Sequence, residues 1–145
     1  MLMKLFRCGQ RFHNSKLKFL SAIIYRIQFY LYNTSLPHSV KLGENTHFAY
    51  GGIACVIHER AELGDGCVIG QCITIGGRSK HRDVPILGDN VYIGAGARVL
   101  GPIKIGDNVI IAPNSVVLDD IPANTIVGGI PAKVIRENID PKNYI

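Results

Sequence analysis

From Ile57 to Val117 an aliphatic residue recurs at every sixth position. Ile57, Leu63, Ile69 and Ile75 open the series, and Leu87, Ile93, Val99, Ile105, Ile111 and Val117 continue it after one double step. The residue two before each is mostly small or β-branched: Cys55, Ala61, Cys67, Ile73, Val91, Ala97, Ile103, Val109 and Ser115. Glycine follows the aliphatic residue at Gly64, Gly70, Gly76, Gly88, Gly94 and Gly106. A period of six fits neither a 3.6-residue helix nor one long alternating strand. It fits a short strand, a corner and another short strand. The aliphatic residue and the small one both point inward, because strand side chains alternate. Glycine suits the corner through its tolerance of positive φ. Three such sides make a triangular coil of about eighteen residues, and stacked coils bury one column of Ile, Val and Leu. The strands of an ordinary sandwich do not hold phase over this many units.

The flanks break the period. Residues 1–35 read as a helical segment, with Leu20, Ile23, Ile24, Ile27 and Leu31 on one face at helical spacing. Its apolar run is interrupted by Arg26 and Gln28 and is too short to span a bilayer. No small-residue cleavage site of a signal peptide follows it. Two roles fit: a cap on the open end of the column, or a basic face with Phe6, Phe12, Tyr25 and Phe29 resting on an anionic membrane. Residues 36–135 carry the repeat. Its phase slips between Phe48 and Ile57, where Tyr50, Gly51 and Gly52 predict a bulge or corner adjustment. Arg78–Val84 puts His81 where an aliphatic residue is due, and this polar stretch predicts a loop leaving the coil. Asp119–Pro122 is a turn, Ile126–Ile135 closes the column, and residues 136–145 form a polar tail.

The chain of 145 residues is one domain by length, and 47% hydrophobic content suits a packed core. Its net charge of +5 is local. Lys4, Arg7, Arg11, Lys16, Lys18 and Arg26 stand in residues 1–36 without an Asp or Glu, so the repeat carries no nucleic-acid face. Of the four cysteines, Cys55 and Cys67 take the small inward slot as core fillers. No CxxC occurs among them, and a reducing cytoplasm is the expected compartment.

Three segments carry a resemblance: GQCITIGG (Gly70–Gly77), VYIGAGARVLGPIKIGDNVIIAPNSVVL (Val91–Leu118) and IVGGIPAKVI (Ile126–Ile135). With them the chain resembles the hexapeptide-repeat acyltransferases, in their serine acetyltransferase-like branch, over roughly Pro37 to Ile135. The resemblance implies an all-β core: a left-handed parallel β-helix preceded by a short N-terminal α-helical segment. It implies a homotrimer and an acetyl-CoA-dependent O-acetyltransferase, acting on a hydroxyl of serine or of a sugar in a surface-polysaccharide pathway. No metal is expected. The γ-class carbonic anhydrases share this fold but use two histidines five residues apart, a pair that is missing here. The other reading is a non-catalytic trimeric scaffold or binding subunit.

Joining a hydroxyl to a thioester needs a base near neutral pKa, which points to histidine. His58 takes the corner slot that Gly64, Gly70 and Gly76 take in the next units, and it falls under Gly76 at the base of the loop. His47 precedes Gly51 and Gly52. The base is His58 or His47, without an identified carboxylate partner; Glu59 and Asp83 are only nearby in sequence. His81 is similar in place to a loop histidine that positions substrate in serine acetyltransferases. Aligned without gaps, the family's catalytic histidine falls on Gly51 and the preceding aspartate on Tyr50. The second aspartate falls near Ser35 or Leu36. By resemblance, acetyl-CoA contacts fall on Gly77, Gly94, Ala95 and Pro113. Lys133, with Arg136, would meet the CoA phosphates.

Overall fold

A computed structural model describes residues 1–144. The repeat folds as expected, into a left-handed parallel β-helix of three-sided coils. The first coil holds β1 (Lys41–Leu42), β2 (His47–Phe48) and β3 (Val56–Ile57). The second holds β4 (Glu62–Leu63), β5 (Val68–Ile69) and β6 (Thr74–Gly76). The third holds β7 (Ile86–Leu87), β8 (Tyr92–Ile93) and β9 (Arg98–Leu100). The fourth holds β10 (Lys104–Ile105), β11 (Ile110–Ile111) and β12 (Val116–Val117). Strands β1-β4-β7-β10 stack into a first face, β2-β5-β8-β11 into a second and β3-β6-β9-β12 into a third.

All ten periodic aliphatic residues are buried, none more than 4% exposed. The nine residues two places before them are buried as well. Burying an Ile, Val or Leu is worth about 1.5–3 kcal/mol, so this column is the main source of stability. Cys55 and Cys67 sit in it, their thiols pushed up in pKa by burial, and each lies close to a carbonyl of the next coil.

The corner glycines have a different role from the one expected. Gly64, Gly70, Gly88, Gly94 and Gly106 are not left-handed. They are glycines because the next coil leaves no room: a Cβ on Gly94 would fall 2.5 Å from the Pro113 nitrogen. The left-handed residues come two positions later, at Gly66, Cys72, Asn90, Gly96, Asn108 and Asn114. Asparagine tolerates that conformation better than other side chains, and Asn90, Asn108 and Asn124 also join one another along the edge between the first and second faces.

The phase slip is a short 3-10 turn, Ala49–Gly52, with Tyr50 at φ 51. Arg78–Val84 is the predicted loop, exposed from Arg78 to Asp83. The closing segment departs from a simple coil. β13 (Ile126–Gly129) stacks on β11, and β14 (Ala132–Arg136) then turns back antiparallel to it. The tail gains a foothold through buried Ile139.

The N-terminal segment is two helices, α1 (Leu2–His13) and α2 (Lys18–Tyr32), packed on the first coil. It does cap the column: Leu2 and Phe6 of α1 join the core. The expected apolar face of α2 is inverted. Ile23, Ile27 and Leu31 are exposed, while Ser21 and Gln28 are buried. Polar contacts explain the choice. Gln28 donates to the Leu36 carbonyl (3.0 Å), Ser21 pairs with His38 (2.8 Å), and Tyr25 pairs with Ser35 (2.9 Å). The first coil offers α2 polar chain-end groups rather than its column, so the helix docks by hydrogen bonds.

Candidate functional site

The predicted site residues fall on two edges of the prism and one face. His58 stands on the edge between the third and first faces. Its N–H donates to the Ile75 carbonyl of the next coil (2.8 Å), which places Gly76, Gly77 and the base of the loop directly beyond it. His58 is half-buried, and its Nδ1 accepts the Arg60 backbone N–H at 3.2 Å. That bond holds the ring and leaves Nε2 as the nitrogen free to meet a substrate. His81 lies in the loop on the same edge, exposed, with its N–H donating to the Arg78 carbonyl (3.1 Å). The loop returns near Arg60 and Glu62, where Asp83 and Val84 help line a cleft of about 180 Å³.

Gly94, Ala95 and Pro113 stand on a different edge, between the second and third faces. Gly70, Ala95 and Pro113 stack there, coil over coil. A Cβ on Gly70 would fall 2.7 Å from the Ala95 nitrogen, and the one on Gly94 would strike Pro113. The result is a small-residue track in which Gly70 and Gly94 are buried under the next coil, Ala95 is half-buried and Pro113 is exposed. Lys133, on β14, pairs with Gly128 near the end of this track. Its side chain is 74% exposed, with an Asp119 carboxylate oxygen 4.0 Å away. Arg136 instead donates to the Tyr144 hydroxyl (2.8 Å). Gly77 belongs to the His58 edge, apart from the other predicted donor contacts.

His47 is on neither edge. It lies in β2 on the second face, exposed and in register with Val68. The 3-10 turn begins two residues later, so Tyr50 and Gly51 occupy the foot of the small-residue track.

Sequence reasoning passed over His38. It is 4% exposed, with Nδ1 2.8 Å from the Ser21 hydroxyl and Nε2 buried without a partner. Its ring lies so close against Gly9 that a Cβ there would overlap it. Burial, and secondarily the charge of His13, lower its pKa. With Nδ1 engaged by Ser21 and Nε2 buried, neither ring nitrogen meets an external hydroxyl, so His38 is a structural group. It forms one wall of a cavity of about 500 Å³ that His13, Lys18 and Glu59 also line. The signal in the sequence was its position at the junction between helix and coil. No group of three His, Cys, Asp or Glu side chains converges as a metal site among the described residues.

The family model for bacterial transferase hexapeptides (six repeats) matches residues 85–119. A serine acetyltransferase of Bacillus pumilus is 34% identical over 134 residues, covering 91% of this chain and 61% of that protein. The serine acetyltransferase of Brucella abortus superposes with a TM-score of 0.89 at 28% identity, over 95% of this chain and 57% of that one. Its complex with coenzyme A gives 0.87 at 28% identity, over 93% and 54%. A Neisseria gonorrhoeae serine acetyltransferase in complex with serine gives 0.85 at 31% identity, over 93% and 55%. The chain thus spans less than two thirds of the length of the relatives it matches.

Proposed function

Because the chain belongs to the hexapeptide-repeat acyltransferase superfamily and is serine acetyltransferase-like within it, we propose that it is an acetyl-CoA-dependent O-acetyltransferase. The observation that carries this reading is the track of Gly70, Ala95 and Pro113. Side chains there are absent or small, with Ala95 half-buried and Pro113 exposed, so a pantetheine arm can lie close along this edge. Lys133 stands near its end as a charge for CoA phosphates. The likeness to a serine acetyltransferase in complex with coenzyme A supports a coenzyme A thioester as the donor.

The separation of the two edges supports a site built between subunits of a homotrimer. The edge bearing His58, Gly77 and the loop of one subunit would face the track of the next. A light-scattering mass of three chains checks that assembly. In the reaction, a histidine takes the proton of the acceptor hydroxyl as its oxygen attacks the thioester carbonyl. The C–S bond then breaks, and the proton passes to the departing thiolate. We assign the base to His58, with His47 as the alternative. Proton uptake at Nε2 needs Nδ1 to carry the other proton, so the 3.2 Å bond from Arg60 must yield. A bond of that length costs about 1 kcal/mol or less to give up.

The acceptor is serine or a sugar hydroxyl. The likeness to a serine-bound relative favours serine, and the basic N-terminal helical segment favours a sugar of a polysaccharide pathway. Buried free thiols fit a reducing cytoplasm. The second reading, a trimeric scaffold, rests on Tyr50 and Gly51 standing where the family's catalytic aspartate and histidine align. Thiol release from acetyl-CoA, measured with serine, free sugars and nucleotide sugars, decides between them. The proposed enzyme releases thiol with one acceptor class and loses about a hundredfold or more of that rate in His58→Ala. A scaffold releases none with any acceptor.

A further inference from the structure

Helix α2 carries two parallel stripes with opposite surroundings. Ser21, Tyr25, Gln28 and Tyr32 face the first coil, held by the hydrogen bonds of Ser21, Tyr25 and Gln28. Phe19, Ile23, Ile27 and Leu31, one row at i, i+4, i+8 and i+12, face outward. They are 61%, 47%, 44% and 62% exposed, with Tyr30 beside them at 85%. A helix that buries Gln28 and exposes this row is turned against its own amphipathicity, and the exposed row lacks a cover.

The charges beside the row identify the cover. Arg26 flanks the row beside Ile27, and Lys18 stands at the start of the helix, beside the cavity that it lines with His38; both are exposed. Lys4, Arg11 and Lys16 are also exposed, and residues 1–36 contain no acid. Arg7 alone is committed, donating to the Leu42 and Gly43 carbonyls. Docking this row on a second copy of itself would bring Lys18 and Arg26 against their own like charges, with no carboxylate on the helix to offset them. An anionic bilayer surface satisfies both features, because acyl chains accept the row and lipid phosphates meet the cations. No helix among the described residues is long and apolar enough to cross a membrane, so the contact lies in the plane of the interface.

We propose that α2 is an interfacial anchor, laying Phe19, Ile23, Ile27 and Leu31 into an anionic bilayer with Lys18 and Arg26 at the headgroups. The side offered differs from the aromatic set the sequence suggested, since Phe6 is buried and Phe12 and Tyr25 are half-buried. The anchor is independent of the chemistry at the prism edges.

Flotation of the purified full chain with phosphatidylcholine vesicles, with and without phosphatidylglycerol, tests the proposal. The protein should float with the anionic vesicles, stay behind with the neutral ones, and be released by raised salt. The double variant Ile23→Gln/Ile27→Gln should partition roughly tenfold less or lower, and Lys18→Glu/Arg26→Glu should lose the preference for phosphatidylglycerol. Both variants change exposed side chains, and circular dichroism with acetyl-CoA titration checks that each is folded. Failure of the wild type to float with anionic vesicles at low salt overturns the proposal. So does a smaller light-scattering mass in the Ile23→Gln/Ile27→Gln variant, which would place a second copy on the row.

Discussion

A methyl group added at Gly94 would fall 2.5 Å from the Pro113 nitrogen, whereas one at Gly76 would meet nothing nearer than 3.6 Å. Both residues follow an aliphatic residue of the repeat, yet only one is needed as glycine. Gly94→Ala should cost about 1–3 kcal/mol, because the neighbour is backbone and must shift. Gly76→Ala should stay within about 0.5 kcal/mol. Urea midpoints at unchanged slope measure both, and equal losses would contradict the stacking account. The inward set was fully legible: the period named all ten aliphatic residues and their small neighbours. The reason for the glycines was not, because close approach between coils is a property of residues eighteen or more apart. The left-handed positions were visible as Asn90, Asn108 and Asn114, two residues beyond the glycine slot, and they marked the strained corner more faithfully than glycine did.

At the scale of elements, the helical hairpin shows where periodicity misleads. Leu20, Ile23, Ile27 and Leu31 form a clean stripe, and an apolar stripe normally marks the core face. Ser21, Tyr25, Gln28 and Tyr32 are just as periodic, and they won because the first coil presents the Leu36 carbonyl, Ser35 and His38 to the helix. The docking depends on a neutral His38. Its ring is packed by Phe6 and Gly9 of α1 and by Ser21 and Tyr25 of α2, with His13 and Lys18 as the basic side chains and Glu59 as the acid around the same cavity. The folded pKa lies below the ordinary value, through burial first and His13 second. The unfolded chain therefore takes up the proton first as pH falls, and stability is lost below about pH 6.5. Melting temperatures of the wild type and His38→Gln, followed from neutral to mildly acidic pH, should show a steeper acid loss in the wild type. Parallel curves would remove His38 as the cause. The loop and the 3-10 turn were legible as breaks in phase. The antiparallel return of β14 was not, since Ile126–Ile135 alternates much as a further coil side would.

For the whole molecule, the repeat of eighteen residues per coil fixed the register of the three faces, and family resemblance supplied the hand. The candidate site was legible only as a set of residues. The structure divides that set between the His58 edge and the Ala95–Pro113 track, with His47 apart on a face. No period within one chain encodes which edge meets a neighbour. The central claim is that the track binds a coenzyme A thioester. Isothermal titration of the purified protein with acetyl-CoA tests it most directly. The account predicts saturable binding in the micromolar range, about −8 kcal/mol, with CoA binding to the same site. An absence of binding at millimolar ligand would contradict it and leave the prism as a scaffold.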